Sequence, residues 1–575
     1  MRDGVTPTAA DRDNGVGSGV GSGGPVWSWL AAVAGRISAL DGWHRAVAAT
    51  AAGAISIIAM APFFLWPVLF ATLPMLVWLI EGARREVAAD AGWKHRVRAL
   101  RDPALVGWCF GFGFHAVGLY WLREAFAVTA GNLELLWPLA VLGLPAYLGV
   151  FHATAAAVAA AVPGSTLRRT FALALALMAT EWLRGHLFTG FPWNVLGYAL
   201  TYPLVLLQSV SVVGIYGLTL IAVPILAGPA VLLASTRQTG KLPAWRAWVA
   251  AVLLALLPLG AMAAYGAWRL AAPQPAFIEG VRLRLVQPSV PQRAKWQAER
   301  QLEFFNRHVE MSGLAPNGQP DHLAGITHVL WPEAAMPFQP LRYPSILAAI
   351  GEALPDGVQL LAGLLRTQAE AVGVDRMIAY NSVGAFDHAG QPVAIYDKVH
   401  LVPFGEYLPF QATLESVGLS ALTRQRGGFG AGATPRPLLR VPGLPPLGVL
   451  ICYEAVFPAA VVQGRERPGL LVNLTNDGWF GNSTGPRQHL QQARTRAVEE
   501  GIPLVRVANN GISAMFDAHG RELVRIELDV AGVADTGLPG VLPPPLYARI
   551  GDWAAVALWV AMLGGLLLGT RQRRM

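Results

Sequence analysis

GVLICYEAVFP, residues 448–458, places a thiol at the end of an apolar run and two residues before a carboxylate. The chain has two cysteines, and the other, Cys109, lies in a long lipid-like segment. A cysteine ending an apolar strand usually packs as a small hydrophobe. Packing is therefore the first reading of Cys452, and anything that overturns it has to come from elsewhere in the chain.

Over 575 residues the composition is 54% hydrophobic and only 14% charged, which points to a membrane region plus at least one globular domain. The net charge of +8 is spread between apolar segments rather than gathered in one patch. It reads as a topology signal, and a nucleic-acid partner is not expected. Two cysteines in such different surroundings make no disulfide framework and no CxxC metal site. The twelve histidines show no HExxH spacing, so neither a metal nor a cofactor is expected. Residues 1–25 are rich in Gly, Ser and charge and read as a disordered tail within a lead-in of residues 1–44. Gly15-Val16-Gly17-Ser18-Gly19 has no strand before it and is low complexity rather than a dinucleotide loop.

A membrane helix needs about 20 mostly apolar residues. Candidates fall at 45–62, 63–82, 104–126, 134–162, 170–188, 206–234, 246–270 and 552–570. Alternate connections are basic: Arg84, Arg85, Lys94, Arg96, Arg98 and Arg101; then Arg168 and Arg169; then Arg237, Lys241 and Arg246; finally Arg571, Arg573 and Arg574. The opposite connections hold few basic residues, chiefly Arg123 and Arg184. By the positive-inside rule both termini are expected to be cytoplasmic. A seven-helix membrane domain at 45–270 then precedes an external domain at 271–550, and 551–575 is the eighth helix with its basic tail. In a bacterium that external domain faces an oxidising compartment, where a lone thiol is kept for reactivity or hidden completely.

The external domain alternates short strand-like runs with helical patterns, as a layered α/β domain does. The strand-like runs are 281–286, 326–331, 358–365, 393–396, 447–452, 470–474, 504–507 and 512–516. Residues 294–312 and 488–500 read as helices, the second stopped by Gly501 and Pro503. Three strand ends carry polar groups: Glu333 after THVLWP, Lys398 after YD, and Cys452 with Tyr453 and Glu454 behind it. Singly, each marks where a chain returns to water. Together they form a chemical set. A thiol attacks acyl groups as thiolate and needs a base or a nearby cation. A glutamate takes the proton and returns it to the leaving group, and an ammonium stabilises the oxyanion.

In that order and those contexts, Glu333, Lys398 and Cys452 resemble the nitrilase (carbon–nitrogen hydrolase) superfamily. The resemblance implies an α-β-β-α sandwich with a Glu-Lys-Cys triad. The apolipoprotein N-acyltransferase family is a closer match, on YDKVHLVPFGEYLP (396–409), ICYE (451–454), LTNDGWFGNSTGP (474–486), VANNGIS (507–513) and, in the membrane part, EWLRGHLFTGFPWN (181–194). Arg487 departs from the apolar or aromatic residue expected there. By resemblance, Cys452 takes an acyl chain from a phospholipid and passes it to the α-amino group of a diacylglyceryl-cysteine at an apolipoprotein N-terminus. Glu333 is the base and acid, and Lys398 the oxyanion partner. The bacterial inner membrane and its lipids are implied as surroundings, and a monomer is expected because nothing in the sequence demands a partner chain.

Glu406 matches a further active-site acid of that family, and Trp296 a tryptophan near its substrate site. Tyr453 and Glu454 are expected to shape the pocket or orient Lys398, and Asn381 to position Glu333 or Lys398 or to form a turn. Trp479 and Phe480 read as a lipid-dipping loop or as aromatic packing. Glu181 and Arg184, three residues apart on one helix, either pair with each other or serve head-group entry. His115 and His489 are expected to be structural. A membrane-anchored amidase of the same superfamily would carry the same triad, and a non-catalytic scaffold or a transporter remains as a rival from another class.

Overall fold

The computed structural model describes residues 25–85, 92–128, 137–239, 244–369, 377–410, 413, 416 and 428–571. The run Gly15–Gly19, the start of the 134–162 span, Lys241, Arg573 and Arg574 lie outside the described residues, as do the side chains of Arg237, Arg246 and Arg571. The lead-in is not all tail. Pro25–Ser38 is a helix, opened by a proline in its first turn and carried on by an apolar stretch.

Helices Gly42–Ser56, Leu69–Ala83, Arg101–Gly118, Trp137–Ala161, Thr166–His186, Val210–Leu226 and Ala244–Ala271 build the N-terminal region, and Trp553–Arg571 returns to pack on it. Among the described residues, Trp66–Ala83 and Trp137–Ala161 are long and apolar enough to cross a membrane, with Val210–Leu226 and Trp553–Leu568 as shorter apolar helices. Small residues let these helices approach closely. A Cβ on Gly53 would lie 1.9 Å from the Phe110 carbonyl oxygen, and one on Gly113 would lie 2.1 Å from that of Thr50. The expected 206–234 span is interrupted. Gly214 takes φ +64°, a conformation that L side chains avoid, and the Ile215 N–H left over by the break donates to Glu499 Oε1 at 3.0 Å.

Residues 277–539 form two sheets face to face. The first contains β1 (Phe277–Gln287), β2 (His328–Leu330), β3 (Gln359–Ala369), β4 (Met377–Phe386) and β5 (Pro392–Asp397). The second contains β6 (Leu447–Ile451), β7 (Leu470–Thr475), β8 (Leu504–Ala508), β9 (Ser513–Phe516) and β10 (Glu522–Ile526), while β11 (Gly532–Pro539) returns to the first. The strand orders are β11-β1-β2-β3-β4-β5 and β10-β9-β8-β7-β6, so β5 and β6 are edge strands of opposite sheets. Strands β1-β2-β3 and β6-β7-β8 run parallel.

Alternation along β1 explains the layering. Leu283 and Leu285 point between the sheets, against Val449, Val472 and Val505 among others. Arg284 points outward, fully buried, and is held by Asp321 at 2.6 Å and Asp535 at 2.8 Å. Helices Gln301–Ser312 and Pro344–Ala353 cover the outer face of the first sheet, and Thr484–Glu500 covers that of the second. This is the expected α-β-β-α sandwich. The expected helix over 294–312 is broken, because Gln297 is extended between Gln292–Lys295 and the later helix.

Candidate active site

All three chemical strand ends converge on one site, Glu333 from an interior strand of the first sheet and Lys398 and Cys452 from the facing edge strands. Glu333 follows β2, Lys398 follows β5, and Cys452 follows β6 and opens a tight turn over Cys452–Val456. Cys452 has φ +50° and Ala334, next to Glu333, has φ +46°. Non-glycine residues in that region cost about 1–3 kcal/mol each and persist only where the surroundings enforce them. Here the enforcement is visible. The Cys452 carbonyl is met by His489 Nε2 at 3.1 Å and by Asn473 Nδ2 at 3.4 Å.

Glu333 is held at both carboxylate oxygens. Oε1 accepts from Asn381 Nδ2 at 2.8 Å and lies 3.6 Å from Lys398 Nζ, while Oε2 accepts the Asn476 N–H at 2.8 Å. Lys398 Nζ, 1% exposed, donates to Glu406 Oε1 at 2.9 Å. Asn381 Nδ2 also reaches Glu406 Oε1 at 3.0 Å, and Glu406 Oε2 accepts the Val402 N–H at 2.8 Å. Burial alone would push Lys398 down, but the Glu406 and Glu333 carboxylates, with the Cys452 sulfur, hold its pKa above the usual lysine value. Cys452 moves up as well: burial is the main cause and Glu333 adds to it, against Lys398 and a hydrogen bond with Thr475. Burial thus favours the thiol, and the sulfur needs a base to take its proton before it can serve as a nucleophile.

Glu454 is fully buried and joins the two sheet edges. It accepts the N–H groups of Val399 and His400, each at 2.9 Å, directly after Lys398, and the Ile451 N–H at 2.7 Å, directly before Cys452. Arg436 Nη1 balances its charge at 2.7 Å. Tyr453 is also buried and donates to the Gly190 carbonyl at 3.1 Å, so the turn behind the nucleophile is attached to the helical region.

Phe480 does not dip outward; its ring packs on Trp121 at 4.4 Å, Trp193 at 5.9 Å and His489 at 6.0 Å, because the helical region supplies an aromatic surface beneath it. Trp479 beside it is partly buried. Glu181 and Arg184 do not pair. Glu181 accepts the Leu196 N–H and the Thr219 hydroxyl, and Arg184 donates to the carbonyls of Phe191 and Trp193, so both hold the loop that follows their helix. Trp296 is 44% exposed, whereas its neighbour Lys295 is buried and donates to the Glu333 carbonyl at 2.9 Å. Arg487 bonds the Ser483 carbonyl at 2.6 Å, within the first turn of its own helix.

Sequence reading missed Lys295, Asn476 and the role of His489. Asn476 and Asp477 follow the apolar strand β7, a position that could have marked them. His489 lies between the Cys452 carbonyl and Asp477 Oδ1, which is 3.0 Å from Nδ1. Cys452, Asp477 and His489 bring possible metal-ligand atoms within 4.8 Å of one another. The Arg506 guanidinium at 2.5 Å from Asp477 already supplies the positive charge there, so the donor set does not suit a further cation.

The sequence profile of the apolipoprotein N-acyltransferase N-terminal domain matches residues 52–228, and that of the carbon-nitrogen hydrolase domain matches residues 282–538. An apolipoprotein N-acyltransferase from Rhodopseudomonas palustris is 45% identical over 94% of this chain and 98% of its own length. One from Bradyrhizobium diazoefficiens is 47% identical over 92% of this chain and 96% of its own. Among solved structures, an amidase of the nitrilase superfamily from Nesterenkonia is similar at 18% identity and a TM-score of 0.32, covering 49% of this chain and 98% of that one. With a nitrilase-like domain set on a helical region and both regions matched along nearly the whole length of these relatives, the chain belongs to the apolipoprotein N-acyltransferase family.

Proposed function

We propose that this protein transfers an acyl chain from a phospholipid, through a thioester on Cys452, to the α-amino group of an N-terminal diacylglyceryl-cysteine. The observation that most supports the reading is the buried cluster of Glu333, Lys398 and Cys452 at the strand ends that adjoin the helical region. Glu333 takes the Sγ proton as the sulfur attacks the donor ester carbonyl, and Lys398 stabilises the oxyanion. The ester C–O bond breaks, Glu333 returns the proton to the departing lysophospholipid oxygen, and a thioester remains. The acceptor amine then attacks the thioester and loses a proton to Glu333. The C–S bond breaks, the amide forms, and the proton returns to sulfur.

In this reading the helical region forms eight spans: 45–62, 63–82, 104–126, 134–162, 170–188, 206–234 with its break at Gly214, 246–270 and 552–570. Both termini are cytoplasmic, residues 271–550 face the periplasm, and the protein works as a monomer. Acyl transfer explains a polytopic base better than hydrolysis does, because donor and acceptor are both lipid-borne and must meet at the bilayer surface. Incubation of the purified chain with phospholipid is expected to add one acyl mass at Cys452, lost in Cys452→Ala and severely slowed in Glu333→Gln. A diacylglyceryl-cysteine peptide added next is expected to gain that mass at its N-terminus. Release of free fatty acid without peptide acylation would instead identify a hydrolase.

A further inference from the structure

Lys295 is a buried charged group of the site to which the proposed chemistry assigns no task and which, unlike Lys398, Arg436 and Arg506, has no carboxylate partner among the described residues. It sits at the end of the short helix Gln292–Lys295, with its side chain 3% exposed. Among the described residues its ammonium makes one hydrogen bond, to the main-chain carbonyl of Glu333, and no carboxylate lies within ion-pair distance of it. An ammonium has three N–H donors. One is therefore spent on the backbone of the general base, and two are available in a buried site.

The charges surrounding it give this a consequence. Lys295 interacts electrostatically with Glu333 and Cys452. Lys398 lies between the Glu333 and Glu406 carboxylates at 3.6 and 2.9 Å, and Asp477, which also acts on the thiol, is already neutralised by Arg506. His308, on the helix packed against Lys295, is held neutral by burial, its pKa near 3. His489 is also pushed down by burial and by Arg506. The carboxylates Glu333 and Glu406 are therefore matched by Lys398 and Lys295. Without Lys295 the cluster carries an excess negative charge before the thiol has ionised, and moving the Cys452 proton onto Glu333 builds a thiolate that is left unbalanced, because Lys398 is already paired with Glu406.

We propose that Lys295 is a positioning residue of the reaction, a second buried ammonium that fixes Glu333 through its backbone carbonyl and balances the charge that develops on Cys452. The inference rests on the acyl-transfer reading of the site. Burial pushes Lys295 down to about 8, against the opposing pull of Glu333 and Cys452, so its charge is present at neutral pH and is lost as pH rises through that value.

Acyl-enzyme formation tests this free of the acceptor amine, which titrates in the same range. The full-length chain in detergent is mixed with dioleoyl phosphatidylethanolamine, and the rate of mass gain at Cys452 is followed from pH 6 to pH 10. In the unsubstituted protein the rate is expected to fall above about pH 8. Lys295→Gln keeps a donor for the Glu333 carbonyl but no charge. It should be about 10- to 100-fold slower at pH 7, the size expected of one charge several ångströms away at an effective dielectric constant of ~20, and should lack the fall near pH 8. Lys295→Arg is expected to recover most of the rate and hold it past pH 9. Lys295→Gln at the unsubstituted rate, or slowed with the alkaline fall still present, overturns the proposal. If Lys295→Gln does not fold, Lys295→Arg decides alone, and persistence of the fall in that variant is the refuting result. An unsubstituted chain that never acquires acyl mass refutes the acyl-transfer reading itself, a different outcome.

Discussion

Replacing Glu454 with glutamine changes one atom in a group that grips the peptides on both sides of the chemistry. The carboxylate accepts the N–H groups of Ile451, Val399 and His400, the Tyr396 hydroxyl, and Arg436. Glutamine has one acceptor oxygen, and its NH2 would face donors. Hydrogen bonds to a charged group are worth ~1.5–3 kcal/mol each. Stripping one partner from a buried ion pair costs about 3–5 kcal/mol. These terms describe the same loss and do not add, so a destabilisation of about 4 kcal/mol is the working figure. For a domain of this size each kcal/mol shifts the melting point by roughly 2–4 °C, giving a drop of about 8–16 °C. Unfolding of such a chain is treated as a rate process, so apparent midpoints are compared at one scan rate in one detergent. Arg436 is itself buried, so Glu454→Gln combined with Arg436→Met is expected to regain part of the loss by removing the stranded charge. Acylation of Cys452 should also slow, because the peptides after Lys398 lose their anchor. A midpoint within about 2 °C of the unsubstituted protein, or a double variant whose losses simply add, would refute the reasoning.

Two further outcomes follow from single contacts. Arg506 and His489 hold the Asp477 carboxylate down to about 2 although burial alone would raise it. Its stabilisation is therefore complete above the unfolded value near 3.9 and fades as pH falls towards 2, so the stability gap between the unsubstituted protein and Asp477→Asn should shrink by about 2 kcal/mol between pH 5 and pH 2 in urea titrations. In the helical region, Gly53→Ala would drive a methyl group onto the Phe110 carbonyl and is expected to lower both yield and melting point, whereas a Cβ at Gly260 meets nothing within 4 Å. Gly260→Ala should be neutral or stabilising by up to about 1 kcal/mol; equal melting points for the two variants would contradict the close approach of helices Gly42–Ser56 and Arg101–Gly118.

Much of the external domain is legible in local pattern. The alternation over 281–286 and the apolar runs ending at residues 331, 452 and 474 mark strands whose cores are local in sequence, and the polar residues at their ends stand out against them. What stayed hidden depends on contacts across long separations. Strand β4 is rich in Ala, Ser, Asn and Gly and gains its place from the ladders with β3 and β5 on either side. Lys295 lies at the start of the stretch 294–312, which reads as a helix with nothing to single out its ammonium, and only the approach of Glu333, 38 residues later, gives it a buried partner. Glu454 taken singly reads as a carboxylate returning to water, yet its partners lie up to 58 residues away.

The helix Thr484–Glu500 shows most clearly why pattern fails there and what replaces it. Its sequence, TGPRQHLQQARTRAVEE, looks like a helix with one wet face, but Gln488, Gln491, Thr495, Arg496 and Glu499 are all buried. Leu490, Ala493 and Ala497 pack on the second sheet. The polar face meets the helical region instead of water: Trp193 Nε1 donates to Gln488, Gln491 to Thr201, and Arg496 to the Tyr198 hydroxyl. Glu499 takes the N–H that Gly214 releases by breaking its helix, so an apparent defect in one region is the docking point of the other. Buried polar groups are costly unless paired, and through these contacts each region pairs polar groups of the other. The same helix carries His489, which holds the Cys452 carbonyl, while Gly190 holds Tyr453 from the helical side. The strained turn at Cys452 is therefore fixed jointly by sandwich and helices, and a change in how they sit together would reach the nucleophile through one residue on either side.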